Sequence, residues 1–91
     1  MQQDKWQVVS FPSNIGTVRP TAVMVASDGS LYLGTMGRGL LVFSADRTWH
    51  AVGTDKGLGD NCILSICEDD NQRVWVGTRG GGISLLTQVP R

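Results

Sequence analysis

The chain has 91 residues, 41% of them hydrophobic, which suffices for one small domain but is marginal for burying a core unaided. Eight basic residues balance eight acidic ones, and Arg19, Arg38, Arg47, Lys56, Arg73, Arg79 and Arg91 are spread out, so nothing draws the chain to nucleic acid, an anionic membrane or an acidic substrate. No apolar run approaches the roughly 20 residues of a membrane span, and the opening MQQDKWQVVSF lacks a basic segment followed by an apolar one, so no export signal is expected there.

Taken in chain order, the apolar residues fall into short runs. Residues 6–10 (WQVVS) read as a first strand and residues 21–26 (TAVMVA) as a second. The turn pair Asp28-Gly29 introduces residues 30–35 (SLYLGT), and a glycine-rich link leads to residues 39–43 (GLLVF), which is hairpin spacing. Residues 49–53 (WHAVG) follow. The same series then begins again with residues 64–68 (LSICE), 73–78 (RVWVGT) and 82–86 (GISLL). No window of a dozen residues keeps apolar positions at i, i+3, i+4 and i+7, so no helix is expected.

Two runs of the chain are therefore copies of one another. A shift of 43 positions (49 less 6) superposes Trp6 on Trp49, Val9 on Val52, Val23 on Ile66, residues 31–35 on 74–78, and Gly37, Gly39 and Leu40 on Gly80, Gly82 and Ile83. The repetition also decides how the glycine-rich stretches at 34–40 (GTMGRGL) and 77–83 (GTRGGGI) are read. A phosphate loop ends in Gly-Lys-Ser/Thr and opens a helix. Neither stretch has the lysine, and both run into strands. Gly37, Gly39, Gly80 and Gly82 are instead expected to allow positive φ and close backbone approach in a hairpin turn.

Other chemistry finds little footing. Cys62 and Cys67, if extended, lie about 16 Å apart, beyond disulfide reach. With His50 the only histidine and no CxxC spacing, no metal site is expected. Residues 68–71 (EDDN) lack the spaced acidic pattern of a calcium loop and read as a turn. Trp6, Trp49 and Trp75 fit packing between repeats better than sugar stacking. His50 has no partnered nucleophile or carboxylate, and without a nucleophile–base pair or matched carboxylates no enzyme activity is expected.

Four short strands per period of roughly 40 to 45 residues is the arithmetic of a β-propeller blade. The residues also resemble a known family. Gly57-Leu58, Asn61, Ile66, Asp69, residues 74–78 (VWVGT) and Gly81-Gly82-Ile83 occupy the places of the two-component regulator propeller repeat. The family pattern has a turn glycine where this chain has Gln72. The first copy keeps that glycine as Gly29, but has Tyr32 for the tryptophan and Ala26 for the aspartate. The resemblance implies a sensory, non-catalytic module, of a kind often found outside the cytoplasmic membrane, that binds ligands or partner domains.

The expected fold is all-β: two four-stranded antiparallel β-propeller blades per chain, assembling head-to-tail into a closed propeller. Six blades from three chains are favoured, with eight from four next, because a lone pair of blades leaves two apolar faces open. Residues 1–10 would complete a neighbouring blade in trans, 11–53 form blade 1, and 54–91 form blade 2 without its own outer strand. The expected interface between chains comprises Trp6, Val8, Val9, Ile83 and Leu85. By blade topology Arg38, Arg79, Asp60 and Asn61 share one ring face and are the candidate ligand-binding groups. No cofactor or metal is expected. Expected partners are further copies of the chain and possible small ligands or glycans, not nucleic acid or membrane. The functional expectation is a non-catalytic binding or scaffold module, with a multivalent carbohydrate-binding propeller or a fragment of a larger sensor as alternatives.

Overall fold

A computed structural model describes residues 18–86; the expected strand at 6–10, with Trp6, Val8 and Val9, lies outside them. The first antiparallel sheet holds β1 (Pro20–Val25), β2 (Leu31–Thr35), β3 (Leu40–Phe43) and β4 (Trp49–Val52), adjacent in chain order. The second holds β5 (Ile63–Glu68), β6 (Val74–Thr78) and β7 (Ile83–Leu86), again in chain order. The 43-residue repeat extends to pairing defects. Pro20 faces Thr35 and Ile63 faces Thr78, and in both sheets the register shifts just after that pair. The fold is thus all-β, two successive antiparallel sheets, as propeller blades require.

Two kinds of turn close the hairpins. One is a five-residue turn that recurs three times, at 26–30, 44–48 and 69–73. In each, the first residue's N–H donates to the fifth residue's carbonyl: Ala26 to Ser30 at 2.8 Å, Ser44 to Thr48 at 2.8 Å, and Asp69 to Arg73 at 2.9 Å. The fourth residue's N–H returns to the first carbonyl, and this fourth residue is left-handed: Gly29 (φ 90°), Arg47 (φ 70°) and Gln72 (φ 63°). The other kind links β2 to β3 and β6 to β7. Thr35 Oγ1 donates to the Gly39 carbonyl at 2.7 Å and accepts the Arg38 N–H at 3.0 Å; Thr78 Oγ1 does the same with Gly82 at 2.8 Å and Gly81 at 3.0 Å.

The glycine-rich stretches therefore turn corners. Gly37, Gly39 and Gly82 have φ values of 97°, 75° and 73°. Gly80 departs from expectation, since it is not among the positive-φ glycines; a Cβ on it would instead lie 3.1 Å from Asp60 Oδ2. A second departure is the link between the sheets, where Thr54–Lys56 form one 3-10 turn, ended by left-handed Gly57 (φ 99°). Three residues are too few to leave a periodic signature.

Strand alternation fixes which side chains face the other sheet. On the first sheet Ala22, Met24, Tyr32, Gly34, Leu40, Val42 and Val52 share one face; on the second, Ile63, Ile66, Val74, Val76 and Leu86 do. Tyr32, Leu40, Val42, Val52, Ile63, Val74 and Val76, with Ala26 and Leu58, make up the buried core between the sheets, and Met24, Ile66 and Leu86 pack on it. At its inner edge, a Cβ on Gly34 would stand 2.5 Å from Ile63 Cγ2 and 2.9 Å from its Cβ, so only a bare backbone lets Ile63 seat there. Thr21 Oγ1 donates to the Ile63 carbonyl at 2.6 Å, while Ser27 donates through its N–H and hydroxyl to the Glu68 carboxylate at 2.9 and 3.0 Å.

Stability measurements on two variants check this packing. Gly34→Ala forces Ile63 off its seat and should cost about 1–3 kcal/mol, read as a lower urea midpoint. Gln72→Gly relieves a left-handed side chain and should raise stability by roughly 1 kcal/mol. An unchanged midpoint in Gly34→Ala contradicts the seating of Ile63, and one in Gln72→Gly contradicts strain at the turn.

Candidate functional site

Strand parity gathers distant residues. Because every pairing is antiparallel, Arg19 before β1, the 36–39 turn, the 53–62 link and the 79–82 turn all lie at one end of the two sheets. Backbone bonds fasten them: Met36 N–H donates to the Arg19 carbonyl at 3.0 Å and Arg79 N–H to the Cys62 carbonyl at 2.9 Å. Between the sheets, Gly37 and Gly39 N–H groups both donate to the Asn61 carbonyl, at 3.0 and 2.9 Å, and Met36 opposes Cys62 as an isolated antiparallel pair.

The four candidate ligand residues fall at this end but divide by role. Asp60 is consumed by the backbone: Oδ1 accepts the Cys62 N–H at 3.1 Å and Oδ2 the Gly80 N–H at 2.8 Å. Asn61 Oδ1 accepts the Thr54 N–H at 3.0 Å. Both act as brackets, Asn61 tying the link to the first blade's hairpin and Asp60 tying it to the second's. Gly59 adds to the second bracket, donating to Ser84 Oγ at 3.1 Å and leaving no room for a Cβ beside the Gly81 backbone. Arg38 and Arg79 are exposed, and among the described residues neither guanidinium has an ion-pair partner.

Arg19 and Lys56, not among the expected site residues, stand at the same end. Among the described residues they and Arg38 and Arg79 face only Asp55 and Asp60, a net of +2. At the opposite end, again among the described residues, Asp28, Asp46, Glu68, Asp69 and Asp70 stand against Arg47 and Arg73, a net of −3. The expectation that the basic residues are merely scattered is thereby corrected: sequence neighbours diverge to opposite ends, and residues 60 positions apart converge.

The acidic end is held by Asp69. Its Oδ1 accepts the N–H groups of Asn71 and Arg73 at 2.8 and 3.0 Å, and its Oδ2 accepts Trp75 Nε1–H at 2.8 Å and Arg73 Nε–H at 2.7 Å. The indole bond foremost, then the Arg73 backbone N–H, holds the carboxyl far below the usual carboxylate range. The Thr48 hydroxyl and N–H lower Asp46 in the same sense. The 68–71 run is thus a turn lock. His50 lies on β4, with Nε2 3.1 Å from Thr48 Oγ1.

Trp49 and Trp75 do not play one common part. Trp49 stacks on Phe43, ring centroids 4.8 Å apart, on the face of the first sheet turned away from the second. Trp75 takes the place equivalent to Tyr32, but on the outer face of the second sheet, where Cys67, Ile83 and Leu85 accompany it. Cys62 and Cys67 are free thiols.

Residues 57–80, which hold β5 and β6, match a family model described as two component regulator propeller. No curated protein and no solved structure matches the chain.

Asp69 gives a test with a defined sign. A depressed carboxyl stabilises the fold above its unfolded pKa of about 3.9 and loses that contribution as pH falls through the folded value. Asp69→Asn should therefore lower stability at neutral pH and flatten its decline below about pH 4, followed by tryptophan fluorescence. Parallel acid curves for the two proteins would remove Asp69 from this role.

Proposed function

We propose that the chain is a non-catalytic binding and scaffold module that closes into a β-propeller with copies of itself, three chains giving six blades ahead of four giving eight. The observation that carries this reading is the complementarity of the two outer faces. Each outer face repeats the half of the internal interface that its own sheet does not use. On the second sheet Ser65, Cys67, Trp75, Gly77, Ile83 and Leu85 are the 43-shifted equivalents of Ala22, Met24, Tyr32, Gly34, Leu40 and Val42, which pack against a blade within the chain. On the first sheet Val23, 64% exposed, is the equivalent of Ile66, which packs on the core, and Leu31 and Leu33 are the equivalents of buried Val74 and Val76. Leu33 and Leu41 on that face are themselves buried, while Val23 and Val25 are open.

The internal seat of Ile63 on Gly34 has its counterpart in Gly77. A Cβ there would meet only the movable Ser65 hydroxyl and side chain, which leaves the backbone open to Pro20 of the next copy, the equivalent of Ile63. Residues 6–10 of that copy would lie along β7 as β4 lies along β3, with Trp6 opposite Leu86 and Val8 and Val9 opposite Ser84 and Ile83. Such a contact is heterologous, and it ends in a ring when the rotation closes. In this arrangement Trp75 is covered by the next copy, which removes it as a platform for a sugar.

The native mass by light scattering behind a sizing column, across a range of concentrations, tests the reading. A discrete mass of three or four chains is expected. Ile83, 75% exposed, should tolerate Ile83→Asp without loss of β-structure by circular dichroism while the particle falls to a monomer. A compact wild-type monomer, or an Ile83→Asp variant that keeps the wild-type mass, overturns self-closure. A heterogeneous aggregate would favour a piece of a larger propeller.

A further inference from the structure

We propose that the assembled protein binds an oxyanion, a phosphate or sulfate group on a small ligand, between Arg79 of one copy and Arg19 of the next. The inference rests on self-closure of the chain into a ring and deepens it by naming a ligand chemistry. Its basis is the isolated pair Met36–Cys62, which joins the two blades of the chain at the basic end. Shifted by 43 residues, Met36 becomes Arg79, and Cys62 is itself the shifted equivalent of Arg19. The contact that is Met36 against Cys62 inside a chain therefore becomes Arg79 against Arg19 between chains.

Opposed residues of an antiparallel pair hold their Cβ atoms about 4.5–5.5 Å apart, and like charges so placed repel. Within the chain the same position carries a thioether and a thiol, so the two kinds of junction differ in the side chains they oppose. Part of the backbone junction carries over: Gly39 N–H donates to the Asn61 carbonyl, and the shifted partners are Gly82 N–H and the carbonyl of Val18, whereas Gly80 N–H, the shifted equivalent of the Gly37 donor, is already given to Asp60 Oδ2. Neither arginine has an ion-pair partner among the described residues. Asp60, the acid tied to the Arg79 hairpin, already gives both oxygens to the N–H groups of Cys62 and Gly80. Arg38, on the adjacent hairpin of the same copy, is exposed and adds to the positive potential. Two guanidinium forks converging on one point suit a tetrahedral oxyanion, which each can engage through paired N–H donors. One site arises per junction, hence one per chain, repeated around the ring axis.

The test is titration calorimetry of the assembled protein, in a chloride buffer, with inorganic phosphate and separately inorganic sulfate, the particle mass being measured on the same sample. Saturable binding of one anion per chain is expected. Arg19→Gln and Arg79→Gln should each weaken it at least tenfold, while Arg47→Gln, at the opposite end, should not. In anion-free buffer Arg79→Gln should keep the ring together to greater dilution than wild type, because it removes the repulsion; added phosphate should stabilise only the wild-type ring. Binding of both anions assigns the site to phosphate or sulfate groups alike, and binding of phosphate alone assigns it to phosphate. A ring that takes up neither anion overturns the oxyanion site and leaves self-closure standing, as does an equal loss in Arg47→Gln. A monomeric particle overturns both.

Discussion

Ile63 resting on the bare backbone of Gly34 is the constraint from which the arrangement of the two sheets follows. It sets how closely β5 approaches β2, and Tyr32, Leu40 and Val42 join Val74 and Val76 in one buried core. Polar groups then fix the sliding register that apolar packing leaves loose. The Thr21 hydroxyl holds the Ile63 carbonyl at one end of β5, and Ser27 holds Glu68 at the other. The strand is thus pinned at both ends and seated against β2.

The link between the blades carries out a second task with polar atoms alone. Residues 53–62 bury little beyond Leu58, yet Asp60 and Asn61 satisfy backbone donors of both neighbouring hairpins. Buried or half-buried N–H groups in tight turns are costly when unmet. Meeting them from a link that touches both blades ties the hairpin tips to one another, and the arginines on those tips are consequently carried on a stiff base. Precise placement of a charged group needs support of this kind beneath it.

Much of this is legible in the chain. The strands at 20–25, 31–35 and 40–43 and their copies stand out because branched and aromatic residues alternate between turn residues, and the repeat gives each assignment a second witness. What the sequence conceals, it conceals for identifiable reasons. Gly80 and Gly37 read alike, because sequence cannot separate a glycine needed for its φ from one needed for its missing side chain. Gln72 hides a left-handed position that Gly29 displays openly. Asp60 and Asn61 look like free polar groups because their partners are backbone N–H groups, which every residue but proline possesses. Arg19 does not stand out beside Arg79 in a linear reading, although counting strand directions brings both to the same end.

The division of charge along the strands makes a neutral chain behave as two objects. Strands of five or six residues separate the ends by about 17–20 Å, whereas the Debye length at physiological ionic strength is about 8 Å. In ordinary buffer each end is therefore screened from the other and presents its own sign, +2 at one and −3 at the other among the described residues, to whatever approaches. A composition with an isoelectric point near 6.5 suggests a molecule indifferent to ion-exchange resins at neutral pH. The geometry implies the opposite: one orientation suits a cation exchanger and the inverted one an anion exchanger.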